Sequence, residues 1–288
     1  MAIKGIDVSA HQGRINWKQV AESGVEFAVL RVYCNGADLR FGENYQGASA
    51  AGIPVGAYCY SYATTPQAAD REAQAVLQLL EGKTFAYPIY FDIEDTIQRM
   101  LRREQVDAIV EAFCQRLEAA GYFAGIYSYK YFLEQKLSER ILRRYAVWVA
   151  HTGVSKTSYR YPYGMWQYSH TGSVNGISGK VDLNYAYLAY PGIMRKKQKN
   201  GFGTVSANPP EGCPYGMPTK PQRRGSKGDD VRWVQWHLIQ KGYSCGTAGI
   251  DGSFGPDTER AVRCYQTDCG LEVDGVCGPK TRASLSQA

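Results

Sequence analysis

Eight short apolar runs, alternating with polar or helix-patterned stretches along the first two thirds of the chain, leave this sequence few architectures. They fall at residues 3–9, 27–33, 54–60, 88–94, 123–128, 146–150, 164–169 and 181–187. Between them, apolar residues recur at Ala69, Ala73, Val76, Leu77 and Leu80, and again at Val106, Ile109, Val110, Phe113 and Leu117. That rhythm is the one-sided stripe of a helix lying on a core. Thr65-Pro66 marks a start for the first helix and Gly121 a stop for the second. Strands alternating with helices give βα units rather than an antiparallel sandwich, and eight strands suggest a closed barrel. No clear helix pattern separates Trp148 from Trp166, or Tyr168 from Val181. The expected fold is therefore an α/β chain, a (β/α) TIM-like barrel that is irregular on its last side, followed by a second, small all-α domain.

The 288 residues divide in this reading into a barrel over 1–191, a linker over 192–224 and a small module over 225–288. Within the module, Asp251-Gly-Ser-Phe-Gly-Pro-Asp-Thr and Asp274-Gly-Val-Cys-Gly-Pro-Lys-Thr repeat at an offset of 23 residues. Each copy reads as a turn running into a helix start. The net charge of +6 sits in the linker: residues 1–191 carry +1, 192–224 carry +6 and 225–288 carry −1. Such a linker suits a solvated tether or contact with an anionic surface. It comes with no recognition motif or stacking platform, so nucleic acid is not the expected partner. No run approaches the roughly 18 apolar residues of a membrane span.

His11, His151, His170 and His237 lie far apart and outside any metal motif, and no cysteine pair has zinc-ligand spacing. Cys34, Cys59 and Cys114 fall on apolar runs and read as buried thiols. Cys213, Cys245, Cys264, Cys269 and Cys277 read as thiols or as one or two disulfides. No glycine loop suited to a phosphate and no thiol-hydrolase signature is present, so no metal or cofactor is expected.

The chemistry is carried by acids. In Pro88-Ile-Tyr-Phe-Asp-Ile-Glu-Asp, Asp92 and Glu94 leave one strand face, their Cα atoms about 7 Å apart. Crowded carboxylates raise each other's cost of ionisation, which leaves an acid beside an anion, the pair that glycosidic cleavage uses. Asp7 and Asp182 lie in the first and last strand-like runs, which become neighbours if a barrel closes. Four carboxylates then meet at one mouth, although any one alone also fits a turn cap or a partner for Arg31. Tyr60, Tyr127, Trp148 and Trp166 are rings for sugar faces or for the core, and Arg31 and Gln167 are hydrogen-bonding groups for a glycan.

Taken in order, Gly5-Ile-Asp-Val-Ser, Gly56-Ala-Tyr-Cys-Tyr, Tyr90-Phe-Asp-Ile-Glu, Gly125-Ile-Tyr-Ser, Trp148-Val-Ala and Trp166-Gln-Tyr resemble the family-25 glycoside hydrolases, the N-acetylmuramidases or lysozymes. The resemblance covers about residues 3–190. It implies cleavage of the β-1,4 bond from N-acetylmuramic acid to N-acetylglucosamine, with Glu94 as general acid/base. Asp92 would be the nucleophile or the anion that steadies a substrate N-acetyl group, with Asp7 and Asp182 shaping the site. Tyr60 and Tyr127 match sugar-contacting positions, while Cys59 and Ser61 stand where the family often has other polar or aromatic residues. Residues 225–288 resemble the three-helix peptidoglycan-binding domain, so bacterial cell-wall peptidoglycan is the implied partner. Other readings are an inactive, lectin-like wall binder and a hydrolase of another N-acetylglucosamine polymer such as chitin. Met1-Ala-Ile-Lys-Gly lacks the pattern of a secretory signal. The expectation is a phage-type endolysin released from the cytoplasm, or a secreted enzyme whose signal lies outside this sequence.

Overall fold

A computed structural model of the protein describes residues 2–202, 212–243, 245–246 and 248–286. The chain divides into two compact units, Met1–Met194 with Lys199–Gly201, and Arg195–Gln198 with Phe202–Ala288. Part of the expected linker, residues 203–211, lies outside the described residues.

The first unit is a closed barrel whose strands follow chain order: β1 (Ile3–Val8), β2 (Phe27–Cys34), β3 (Val55–Tyr60), β4 (Ile89–Asp92), β5 (Ala124–Tyr129), β6 (Ala146–Ala150), β7 (Met165–Gly172) and β8 (Val181–Ala186). Each strand from β1 to β7 is parallel to the next. β8 departs from the βα expectation and runs antiparallel to both β7 and β1. A parallel return takes a crossover of a dozen or more residues, and the connection at 173–180 is too short for one.

Helices α1 (Trp17–Glu22), α2 (Phe41–Ala50), α3 (Pro66–Leu80), α4 (Thr96–Arg99), α5 (Arg103–Ala119), α6 (Lys130–Lys136), α7 (Glu139–Arg144) and α8 (Tyr190–Lys196) accompany the barrel. The two expected helices are α3 and α5. At α3 the Thr65 side chain accepts from the Ala68 N–H at 3.2 Å beside Pro66, and Ala69, Ala73, Val76 and Leu80 are buried. The sequence pattern missed α2 because that helix buries only Phe41, Asn44 and Ala48, too sparse a stripe to read.

Strand alternation sorts the side chains. Ile6, Leu30, Ala57, Phe91, Ile126 and Val149 join helix residues such as Val76 and Phe113 in one apolar cluster. The alternate positions fill the barrel in layers. Below the carboxylates lie large rings, and two glycines make room for them. A Cβ on Gly5 would collide with the Phe27 ring, and one on Gly125 would stand 2.5 Å from Tyr90 Cε1.

Asn200 completes the far end of the barrel. It is fully buried, with φ at 59°. Its Oδ1 accepts from the Phe123 N–H at 2.6 Å, its Nδ2 donates to the Tyr87 carbonyl at 2.8 Å, and its own carbonyl accepts from the Phe85 N–H at 2.9 Å. The first compact unit thus reaches past residue 191.

The second unit packs α9 (Asp229–Gln240), α10 (Pro256–Asp268) and α11 (Pro279–Leu285) around Val231, Val234, Leu238, Phe254, Val262 and Leu285. Its repeat has a physical basis in two buried glutamines. Gln235 Nε2 donates to Asp251 Oδ1 at 2.7 Å and Thr258 Oγ1 at 3.1 Å, while its Oε1 accepts from the Gly252 N–H at 2.8 Å. Gln266 repeats this with Asp274 at 2.7 Å, Thr281 at 3.1 Å and Gly275 at 2.9 Å. Each Asp-Gly turn is therefore tied to the helix before it and to the helix it starts.

All eight cysteines are free thiols, so the disulfide alternative finds no pair here. Cys59 and Cys114 are buried as expected, whereas Cys34 is only half-buried. No helix among the described residues is long and apolar enough to cross a membrane.

Candidate active site

The reversal of β8 decides the site. Residues at the start of an antiparallel strand share a mouth with residues at the ends of its parallel neighbours. Asp182, the second residue of β8, is thereby the register partner of Asp7 on β1. Tyr60, Asp92, Tyr127 and Trp148 are register partners on four successive strands, β3 to β6. Glu94 follows two residues after β4 ends, half-buried, and its carbonyl accepts from Tyr129 Oη at 3.3 Å. The four expected carboxylates accordingly meet at one end of the barrel.

Two amides hold Asp7. Its Oδ2 accepts from Asn184 Nδ2 at 2.7 Å and from Gln167 Nε2 at 3.0 Å. Each amide is oriented in turn: Trp148 Nε1 donates to Asn184 Oδ1 at 2.8 Å, and Tyr127 Oη to Gln167 Oε1 at 2.9 Å. These donors fix which end of each amide faces Asp7. With Oδ2 committed to two donors, Oδ1 is left to carry a proton toward Asp182. Burial, then the Asp182 charge, push the Asp7 carboxyl up to about 8. Asp182 is raised mainly by burial, and its hydrogen bond with Asp7 and the nearby His170 act to lower it.

Asp92 is 3% exposed, and its Oδ1 has no hydrogen-bond partner among the described residues. Burial first, then Glu94 and Asp7, hold it protonated well above the usual carboxylate range, while Arg31 acts in the other direction. Glu94 is raised to about 7, chiefly by burial, with Arg99 opposing and Asp182 and Asp95 adding to the shift. The site therefore contains an acid that titrates near neutrality beside a buried carboxyl with one oxygen unclaimed.

The remaining expected residues divide. Tyr127 and Gln167 belong to the network around Asp7. Tyr60 is half-buried at the mouth and donates to Asp95 Oδ2 at 3.2 Å. Arg31 is tied to the buried Asp38, Nε to Oδ2 at 2.8 Å, and Asp38 also accepts from the Ala10 and Arg40 N–H groups. Arg31 thus acts on Asp92 by its charge from a fixed position. Trp148 is 1% exposed and offers no open face to a sugar; it packs on Tyr127 with ring centres 4.3 Å apart and holds Asn184. Trp166 is buried as well, Nε1 donating to the His151 carbonyl at 3.0 Å. Cys59 and Ser61 are both fully buried and do not reach the mouth.

Several site residues escaped the sequence reading. Asn184 lies two residues after Asp182, and the same alternation puts Tyr58 on the face of Tyr60. Period-two spacing from a chosen acid or ring would have found both. Tyr62, 46% exposed with its ring centre 5.2 Å from that of Tyr60, and Asp38 carry no such signal, since they lie in loops. No group of three or more His, Cys, Asp or Glu among the described residues could hold a metal ion.

A closed barrel with an acid and a second carboxyl at the strand ends defines the class of glycosidases in which one carboxyl protonates the leaving glycosidic oxygen while the other meets the positive charge left on the sugar. Residues 6–177 match the glycosyl hydrolases family 25, and residues 227–285 match a putative peptidoglycan binding domain. The chain belongs to glycosyl hydrolase family 25. It is 30% identical over 291 residues to the autolytic lysozyme of Clostridium acetobutylicum, covering 99% of this chain and 79% of that one. Lysozyme M1 of Streptomyces globisporus is 33% identical over 201 residues, 63% of this chain and 67% of its own length. Among solved structures, the bacterial lysozyme from Streptomyces coelicolor superposes with a TM-score of 0.58 at 30% identity, covering 65% of this chain and 93% of that one. The modular autolysin LytC from Streptococcus pneumoniae gives 0.59 at 30% identity over 65% of this chain, which spans about half (47%) of LytC.

Proposed function

We propose that the chain is an endo-acting peptidoglycan hydrolase, a muramidase that cleaves the β-1,4 bond from N-acetylmuramic acid to N-acetylglucosamine. One observation carries the residue roles: Glu94, poised near neutrality, shares its mouth with Asp92, whose buried Oδ1 has no partner among the described residues. A buried acceptor without a donor is costly, so a substrate N–H delivered to it binds favourably. That donor also favours the charged form of Asp92, leaving the proton with Glu94. Glu94 then protonates the glycosidic oxygen as the bond breaks. Asp92 meets the developing positive charge, either by attacking the anomeric carbon or by holding the N–H of the substrate N-acetyl group whose oxygen does so. Glu94, now a base, takes a proton from the incoming water. Asp7 and Asp182 share one proton beneath this exchange.

The lysozyme relatives and the peptidoglycan binding match support the same substrate. The second unit would hold the enzyme at an insoluble wall, raising its effective concentration without taking part in the chemistry. Release from the cytoplasm at lysis or secretion would each bring it there.

Digestion of purified peptidoglycan tests the reading. Products should end in reducing muramic acid, and Glu94→Gln should lower turnover by about a thousandfold while leaving the fold intact. Reducing N-acetylglucosamine ends, or a variant with most of its activity, would overturn it.

A further inference from the structure

Gln98, the third residue of α4, is fully buried and bonds to two loops at once. Its Oε1 accepts from the N–H of Asp95, the residue after Glu94, at 3.1 Å. Its Nε2 donates to the carbonyls of Ser61 and Ala63, each at 3.1 Å, on the loop that carries Tyr62. Glu72 of α3 grips that loop as well: Oε2 accepts from Ser61 Oγ at 2.6 Å and Oε1 from the Tyr62 N–H at 3.1 Å. The Ser61 N–H reaches the Asp92 carbonyl at 3.0 Å, and Tyr60 Oη reaches Asp95 at 3.2 Å.

A glutamine that only capped α4 would use its carbonyl oxygen alone. Here both ends of the amide are engaged, and the second end ties the acid's loop to the tyrosine loop. A buried amide with its bonds satisfied allows one arrangement of the groups around it.

We infer that Gln98, with Glu72, is a positioning residue that sets the wall of Tyr60 and Tyr62 at a fixed distance from Glu94 and so registers a bound glycan against the acid. The inference rests on the muramidase reading of the site. Sugar rings seated on the two tyrosines place the scissile oxygen at Glu94 only while the two loops keep their spacing.

Gln98→Met keeps length and volume and removes the hydrogen bonds that Gln98 makes to Asp95, Ser61 and Ala63, leaving those of Glu72 in place. On a soluble peptidoglycan fragment, kcat/KM should fall by about ten- to a hundredfold, with KM raised and kcat lowered together and the basic limb of the pH profile displaced. Glu72→Gln, which leaves the α4 cap intact, should raise KM with a smaller effect on kcat. Normal kcat, KM and pH profile in folded Gln98→Met, with only a lower Tm, would overturn the inference. If Gln98→Met does not fold, unchanged constants in Glu72→Gln overturn it. A wild type that cleaves no peptidoglycan would count against the muramidase reading instead. The positioning role is then read from affinity: in a Glu94→Gln background, Gln98→Met (or Glu72→Gln, if it does not fold) should weaken binding of a GlcNAc–MurNAc tetrasaccharide about tenfold, and unchanged binding would reject it.

Discussion

Asp7 and Asp182 face each other as register partners across the antiparallel seam that closes the barrel, and the two carboxyls share one proton. Their neighbours Asp92 and Glu94 are likewise raised. A carboxyl raised by folding stabilises the protein while protonated. That contribution is complete below the ordinary carboxylate range and is lost as pH rises through the folded value, about 7 for Glu94 and about 8 for Asp7. Tm should accordingly fall between about pH 5 and pH 8, as followed by calorimetry. At pH 8, Glu94→Gln should lie roughly 3–6 °C above the wild type, reflecting about 1–2 kcal/mol of relieved charge burial. A flat Tm across that range would contradict the shared-proton arrangement.

The same acid sets the rate. Because Glu94 must be protonated to act on the glycosidic oxygen, kcat/KM for a soluble fragment should decline through an apparent pKa of about 7. Full activity persisting to about pH 9 would remove Glu94 from the acid's role.

Trp148 offers a test of the support beneath the site. Trp148→Phe deletes the N–H that orients Asn184 and leaves Asn184 Oδ1 buried without a donor. Stability should drop by about 1–3 kcal/mol in urea unfolding, and turnover should fall because Asn184 no longer presents a fixed donor to Asp7. Turnover equal to that of the wild type would return Trp148 to a purely packing role.

Asn200 predicts where the catalytic unit can be cut. A chain ending at Gly201 keeps the three hydrogen bonds that join Asn200 to Phe85, Tyr87 and Phe123. One ending at Pro191 loses them together with the buried Met194. The longer form should retain cleavage of soluble fragments while binding intact walls poorly, and the shorter should unfold at a Tm lower by several degrees. Equal Tm values for the two would show that the barrel needs nothing beyond residue 191.

The eight strands, helices α3 and α5, the candidate acids Asp7, Asp92, Glu94 and Asp182, and the repeat of the second unit were legible along the chain. These are local patterns: a period of two or of three to four residues, a turn chemistry, a carboxylate pair on one strand face. That β8 runs backward emerges only on folding, since its direction follows from the length of the return at 173–180 and from closure against β1. So does the finding that Trp148 is a support rather than a sugar platform, that Arg31 is bound to Asp38, and that Asn200 belongs to the barrel. Each of these depends on which groups from distant parts of the chain share one buried, directional hydrogen bond, and no spacing along the sequence records that.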